Sequence, residues 1–326
     1  MIQNSNDSNS EISNSLPPQT DSMPDVAKER PDLRLSGALD WVGMRGIEVP
    51  LLLKDQQGQN YRTAARAGTW VSLENQESRG IHMSRLFKDL QDELSQAPLD
   101  FSLLQRVLEK FLRSHEGLSE KAKLEIDFQA LIERRALKSD NKGWRTYPVR
   151  ISGLQERGQS AKFYLETVVT YSSTCPASAA LSRQLIQENF KDHFRGQNLD
   201  FKEVFDFLGT SRGIVATPHA QRSEARVKVQ VQAGSDFTYE SLVDLVEIAL
   251  QTPVQTVVKR EDEQAFALRN GQNLMFCEDA ARRVQTALLA DSRVVDFIAQ
   301  MSHLESLHPH DAVSRVCRGL ELQSFE

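Results

Sequence analysis

The segment KFYLETVVTYSSTCP, residues 162–176, has the clearest strand pattern in the chain. Every second side chain of its first ten residues lies on one face, namely Phe163, Leu165, Thr167, Val169 and Tyr171. Alternation with a period of two is typical of a strand that buries one face. Pro176 has no amide hydrogen to donate to a neighbouring strand, so we expect the strand to stop at Cys175.

The same alternation recurs on both sides of this segment, interleaved with helical patterns. Further strands are predicted at 47–53, 61–73, 124–128, 145–153, 227–231 and 294–300. Apolar side chains at helical spacing predict helices at 84–94, 100–111, 239–250 and 278–289. The first half therefore has the order ββααββ and the second half repeats it, which predicts an α+β protein with antiparallel sheets and paired helices.

This repeat divides the chain into two units, residues 23–157 and 158–326. Residues 1–22 consist mainly of Asn, Ser, Asp, Gln and Pro and cannot bury enough apolar surface to fold, so they are predicted to be a disordered tail. The second unit carries an insertion at about 177–217, with helical patterns at 178–190 and within 194–207. Loops of this length are usually functional or inserted.

The composition describes a globular protein of 326 residues, of which 40% are apolar. With 39 basic and 45 acidic side chains the formal charge is −6, so no general positive field attracts nucleic acid or an anionic membrane. Three cysteines, Cys175, Cys277 and Cys317, cannot close a disulfide framework. No apolar run approaches the roughly 20 residues that cross a bilayer. We therefore expect a cytoplasmic protein without nucleic-acid or membrane partners.

Two residues that flank the insertion, Cys175 and His219, are candidates for chemistry. Cys175 follows a strand directly, and a strand end is a rigid place from which to present a thiolate. His219 precedes the next strand, so hairpin pairing would bring the two side chains together. A thiolate and an imidazole suit Zn²⁺ or another borderline ion. The alternatives are a buried structural cysteine and two unrelated loop residues.

Carboxylates and histidines could complete such a site. Glu278 begins a predicted helix, where a capping role is the general explanation, and Glu263 lies in a charged loop that would ordinarily be solvated. Residues 302–310, SHLESLHPH, put three of the seven histidines and Glu305 after a strand, and imidazole transfers protons near neutrality. Arg85 follows a turn at a helix N-terminus that could bind an anion, with an ordinary capped helix as the alternative.

A series of short motifs resembles the type IB GTP cyclohydrolases. The motifs are Met23-Pro24-Asp25-Val26, Val42-Gly43 with Ile47 and Pro50, Gly80-Ile81-His82-Met83-Ser84-Arg85, Cys175-Pro176, His219-Ala220-Gln221-Arg222-Ser223, Lys259-Arg260 with Asp262-Glu263, Glu278-Asp279, and Glu305-Ser306-Leu307-His308-Pro309-His310. The resemblance implies the tunnelling fold, in which two tandem ββααββ units assemble through their sheets into a barrel. It also implies a homotetramer with active sites at subunit interfaces.

The resemblance further implies an enzyme that converts GTP and water to 7,8-dihydroneopterin triphosphate and formate, the first step of folate biosynthesis. Cys175, His219 and Glu263 correspond to the ligands of a Zn²⁺, Mn²⁺ or Fe²⁺ ion, which generates the hydroxide that attacks the guanine imidazole ring. Cys175 and His308 are the implied catalytic residues. The implied substrate-binding residues are Glu278 and Glu305, either of which could read guanine, with Arg85, Arg222, Lys259 and Arg260 for the triphosphate.

Two departures and two alternatives accompany the resemblance. Ala177 stands where many relatives have a second cysteine, and the insertion is longer than in the shortest relatives. One alternative is a tunnelling-fold enzyme that acts on another purine or pterin with Cys175 as a covalent nucleophile. The other is a non-catalytic metal-binding protein.

Overall fold

The structure is a computed structural model that describes residues 37–55 and 58–319. The tail predicted at 1–22 lies outside the described residues. The strands are β1 (Leu39–Lys54), β2 (Asn60–Leu73), β3 (Lys121–Arg135), β4 (Lys142–Glu156), β5 (Lys162–Thr174), β6 (Ala220–Val231), β7 (Val294–His303) and β8 (Ala312–Arg318). The helices are α1 (Met83–Leu94), α2 (Phe101–Ser114), α3 (Pro176–His193), α4 (Phe201–Leu208), α5 (Tyr239–Leu250), α6 (Arg260–Gln272) and α7 (Cys277–Ala290).

The eight strands form one sheet in which each strand pairs with its neighbour in the chain. The spatial order is β1 to β8 and every pairing is antiparallel. The prediction of an α+β protein with antiparallel strands is confirmed. Because β4 pairs with β5, the two predicted units share a continuous sheet.

Alternation along the strands separates an apolar face from a charged one. In β5, Phe163, Leu165 and Val169 are at most 4% exposed. They belong to the core that α1, α2, α5 and α7 form with the sheet. On the opposite face, Glu166 pairs with Arg226 at 2.7 Å. The helices therefore cover one face of the sheet, and ion pairs line part of the other.

The segment predicted as a charged loop around Lys259 and Glu263 is instead the start of α6. Buried Asp262 stabilises this start, because its carboxylate accepts hydrogen bonds from the amides of Lys259, Lys138 and Ser139, each at 2.8 Å. Acidic side chains in the first turn also suit the helix dipole. The loop prediction was wrong because α6 is fixed by contacts with a distant loop and its apolar side chains do not line one face.

The insertion predicted at 177–217 contains α3 and α4. Cys175 is the N-cap residue of α3, and the strand predicted around 227–231 begins earlier, at Ala220. This extension matters because it pairs Ala220 with Thr174 at the end of β5. Although α3 has 18 residues, no helix in the described part of the chain has both the length and the hydropathy to span a membrane.

Candidate active site

Cys175 lies at the junction between β5 and α3. Its backbone is extended (φ −67°, ψ 123°), and its Sγ accepts a hydrogen bond from the Ser178 amide at 3.5 Å. Pro176 takes the first helical turn, where an amide hydrogen would have no partner within the helix. The thiol is half-buried. It therefore sits at a rigid strand end and stays within reach of a ligand.

His219 lies beside Cys175, one residue before β6. The Cys175 amide donates to the His219 carbonyl at 3.3 Å. The His219 amide in turn donates to Ser178 Oγ at 3.1 Å. Pairing of β5 with β6 thus brings together two residues that are far apart in sequence, as the hairpin argument expects.

Glu305 approaches this pair from the loop that follows β7. Its Oε2 lies 3.7 Å from His219 Nε2, and its side chain is 15% exposed. Its Oε1 accepts a hydrogen bond from Gln221 Nε2 at 3.4 Å. The carboxylate is therefore held between an imidazole and an amide, where the end of β5, the start of β6 and the end of β7 meet.

A buried polar layer supports these side chains on the helix-covered face of the sheet. His303 Nε2 lies 3.1 Å from the Tyr171 hydroxyl, and the hydroxyls of Ser173 and Ser223 are 2.7 Å apart. All four residues are at most 3% exposed. Burial lowers the pKa of His303 to about 4 and raises the pKa of Tyr171. Both rings are therefore uncharged at neutral pH.

The buried imidazole of His303 predicts a loss of stability in mild acid. The unfolded chain binds a proton near pH 6.5, whereas the folded chain resists protonation down to about pH 4. The free energy of unfolding is therefore expected to fall as pH drops across this interval, with a contribution from His303 of about 3 kcal/mol. Urea unfolding of the wild type and His303→Gln between pH 7.5 and 4 measures this contribution. Equal pH slopes for the two proteins would contradict it, and His310→Gln is the exposed control.

Glu278 is brought to the same end of the sheet by α7. The preceding residue, Cys277, is buried, and its Sγ lies within hydrogen-bonding distance of the carbonyl oxygens of Met301 at 3.5 Å and Ala312 at 3.4 Å. These contacts fasten the start of α7 to β7 and β8, and burial raises the pKa of the thiol. Glu278 itself is exposed, and its negative charge partly offsets the effect of burial on the pKa of His303.

The start of α6 carries three of the predicted site residues in exposed positions, namely Lys259, Arg260 and Glu263. Asp262 fixes this turn to the loop between β3 and β4. Glu263 does not form a metal-binding cluster with Cys175 and His219 in this structure. Within residues 37–55 and 58–319, no three His, Cys, Asp or Glu side chains are grouped so as to hold a metal ion.

His308 and Arg222 lie at the same end of the sheet as Cys175. The His308 ring stacks on His310 with centroids 5.1 Å apart, in the exposed loop between β7 and β8. Arg222 follows Gln221 in β6 and is exposed, so by alternation it lies on the opposite face of the sheet. His308 therefore lies at the rim of the site. Arg222 lies at the same end of the sheet but on its other face.

Arg85 is the predicted site residue that lies apart from the others. It donates to the Ser114 carbonyl at 2.7 Å, at the end of α2. Arg157, just past the end of β4, also binds this end of α2 through the Leu112 carbonyl at 3.0 Å. Since β5 begins where β4 ends, Arg85 and Cys175 lie at opposite ends of the sheet, roughly 40 Å apart along the strand direction at about 3.3 Å per residue.

Two polar residues of the site, Gln221 and Ser178, were not singled out from the sequence. Ser178 links Cys175 to His219, because its amide donates to Cys175 Sγ and its hydroxyl accepts from the His219 amide. Gln221 alternates with Ser223 and Ala225 along β6, and these are buried positions. That alternation was the available signal, because a polar side chain at a buried strand position near a functional residue requires a partner.

Comparison with known proteins agrees with the motifs. The family model described as Type I GTP cyclohydrolase folE2 matches residues 23–314. A GTP cyclohydrolase FolE2 from Bdellovibrio bacteriovorus is 57% identical over 305 residues, covering 93% of this chain and 99% of that protein. One from Hydrogenovibrio crunogenus is 48% identical over 298 residues, covering 91% and 95%. Uricase from Arthrobacter globiformis aligns with a TM-score of 0.48 and 8% identity over 88% of this chain and 96% of its own, which is too distant to support any assignment. On the family model and these relatives, the chain belongs to the type I GTP cyclohydrolase FolE2 family.

Proposed function

We propose that this protein is a GTP cyclohydrolase that converts GTP and water to 7,8-dihydroneopterin triphosphate and formate, the first step of folate biosynthesis. The observation that carries the proposal is the convergence of Cys175, His219 and Glu305 where three adjacent strands meet, in a chain of this family. Hydrolytic opening of a purine ring needs groups that hold an ion, move protons and bind the base, and these three side chains are of those kinds.

The donor set suits a divalent metal ion held by Cys175, His219 and Glu263. The thiol and the imidazole belong to adjacent backbone segments, which supports their sharing one ion. Glu263, in the exposed first turn of α6, would supply the third ligand. Sulfur, nitrogen and oxygen donors together admit Zn²⁺, Mn²⁺ or Fe²⁺. When bound, the ion supplies Lewis acidity and lowers the pKa of water at the site.

Glu305, Glu278 and His308 act on the purine. A carboxylate accepts two parallel hydrogen bonds from the ring N1–H and the 2-amino group of guanine, and both glutamates lie at this end of the sheet. Glu305 is the better oriented of the two, because Gln221 fixes one of its oxygens. His308, at the rim, gives and takes protons as the imidazole ring opens and formate leaves.

The proposal also covers binding of the triphosphate and assembly of the subunits. Lys259, Arg260 and Arg222 are exposed cations at this end of the sheet and would bind phosphate. Arg85 lies too far from Cys175 to serve a site in its own subunit, so it would bind phosphate from another subunit of a homotetramer with active sites at subunit interfaces. The continuous sheet of the two units, 23–157 and 158–326, would then join the sheets of other subunits in a tunnelling-fold barrel, which also covers the edge strands.

Incubation with GTP tests this function directly. Purified protein supplied with Zn²⁺, Mn²⁺ or Fe²⁺ is expected to release formate and, after oxidation, a fluorescent pterin in equal amounts. Chelation is expected to abolish both products, and re-addition of the ion to restore them. Absence of both products with every ion would favour the non-catalytic metal-binding protein. Full activity after chelation would remove the metal ion from the proposal.

A further inference from the structure

The side chain of Gln221 is buried beside the site, and its amide oxygen has no hydrogen-bond partner among the described residues. The side chain is 8% exposed, and its Nε2 donates to Glu305 Oε1 at 3.4 Å. The unpaired Oε1 is itself buried. An ionised carboxylate only accepts hydrogen bonds, so the amide nitrogen must face Glu305 and the amide oxygen must face away from it.

The neighbours of Gln221 do not satisfy this oxygen. Gln221 pairs with Ser173 across β5 and β6, and the Ser173 hydroxyl is engaged with Ser223 at 2.7 Å. His219, two residues earlier, has its ring beside Glu305 instead. A buried acceptor without a donor costs free energy, and a ligand that brings an N–H to this point recovers it.

The donors of guanine match the acceptors that Glu305 and Gln221 provide together. The Watson–Crick edge of guanine has three N–H groups, one on N1 and two on the 2-amino nitrogen. The two oxygens of Glu305 accept the N1–H and the nearer amino N–H. The second amino N–H then has no acceptor on that carboxylate, and the unpaired oxygen of Gln221 belongs to the side chain that contacts the same carboxylate.

We infer that Gln221 is a specificity residue that accepts the remaining 2-amino hydrogen of guanine through Oε1 while its Nε2 orients Glu305. The inference rests on the proposed function and identifies how the site distinguishes guanine from hypoxanthine, which lacks the 2-amino group. Gln221 reads the base and takes no part in ring opening.

The test compares GTP with inosine triphosphate (ITP) in Gln221→Met, which keeps the side-chain length and removes both hydrogen-bonding groups. The variant is expected to raise KM for GTP by about 10- to 100-fold. The inhibition constant of ITP is expected to rise by less than about threefold, because ITP loses only the orienting contact between Nε2 and Glu305, which is long at 3.4 Å. kcat for GTP should stay within about threefold, because the reacting atoms are untouched. The preference for GTP over ITP therefore collapses.

Gln155→Met is the matched control. Gln155 is 9% exposed and its Oε1 is also buried without a partner in the described residues, but it lies near the far end of β4. Its substitution is expected to change neither constant. Equal weakening of GTP and ITP in Gln221→Met, or no change in either, would overturn the inference.

Two further measurements keep the inference testable. If Gln221→Met does not fold, N2-methyl-GTP with the wild type decides, because a methyl group in place of the second amino hydrogen must weaken binding by about tenfold or more, and binding equal to that of GTP contradicts the inference. If the wild type does not turn over GTP, the proposed function fails separately. Equilibrium dialysis of GTP and ITP with the wild type and Gln221→Met then still measures the specificity.

Discussion

Cys175→Ala is expected to lower kcat/KM for GTP by about 10³-fold, because in the proposed mechanism its thiolate helps to hold a Lewis acid worth several kcal/mol of transition-state stabilisation. It should also weaken zinc binding by on the order of 100-fold or more, since even partners of ligands cost 10- to 100-fold in affinity. Zinc content after dialysis and steady-state turnover measure the two effects. Backbone contacts between Cys175 and His219 do not involve the thiol, so the hairpin should persist.

Cys317→Ala is the matched control for this substitution. Cys317 is also free and half-buried, but it lies in β8. We expect it to leave turnover and zinc content unchanged. Loss of activity in Cys175→Ala with full retention of zinc would contradict the metal role and favour Cys175 as a covalent nucleophile. With Co²⁺ in place of zinc, the sulfur-to-metal charge-transfer band should be present in the wild type and absent from Cys175→Ala.

The strands were predictable because their signal is local. In β3 every second side chain from Ala122 to Ile132 is apolar, and those side chains are the buried ones. α6 gave no such signal, since Asp262 is its buried residue and the partners of Asp262 lie more than 120 positions away, at Lys138 and Ser139. No periodicity within residues 260–272 could reveal hydrogen bonds to a loop between two distant strands.

The candidate site also has a part that the sequence predicts and a part that it does not. The approach of Cys175 to His219 follows from hairpin pairing, which sequence order suggests. The roles of the histidine-rich segment were harder to predict. His303, at the end of β7, is buried against Tyr171 of β5, whereas His308 is exposed in the next loop. Burial of that kind depends on which strands are neighbours. Gln221 was missed because its importance lies in an oxygen that the surrounding fold leaves without a donor.

Glu247→Ala is expected to destabilise the fold by about 3 to 5 kcal/mol, the cost of leaving buried charge without its partner. Glu247, in α5, accepts hydrogen bonds from the Tyr147 hydroxyl at 2.6 Å and from Arg145 Nη1 at 3.1 Å, and it pairs with Arg134 Nε at 3.2 Å. The side chains of Arg145 and Glu247 are each 10% exposed. Burial and the charge of Glu247 raise the pKa of Tyr147 to about 12, so the phenol remains a donor.

The stability loss can be separated from a general loss of charge on α5. Asp244 lies one turn earlier and pairs with Arg134 at 2.7 Å, but its side chain is 46% exposed, so Asp244→Ala should cost at most about 1 kcal/mol. In the double variant Glu247→Leu with Arg145→Met, apolar side chains replace both members of the buried pair, and we expect much of the stability to return. Urea unfolding measures all three variants. If Glu247→Ala costs no more than Asp244→Ala, the buried network does not join β4 to α5 as its geometry indicates.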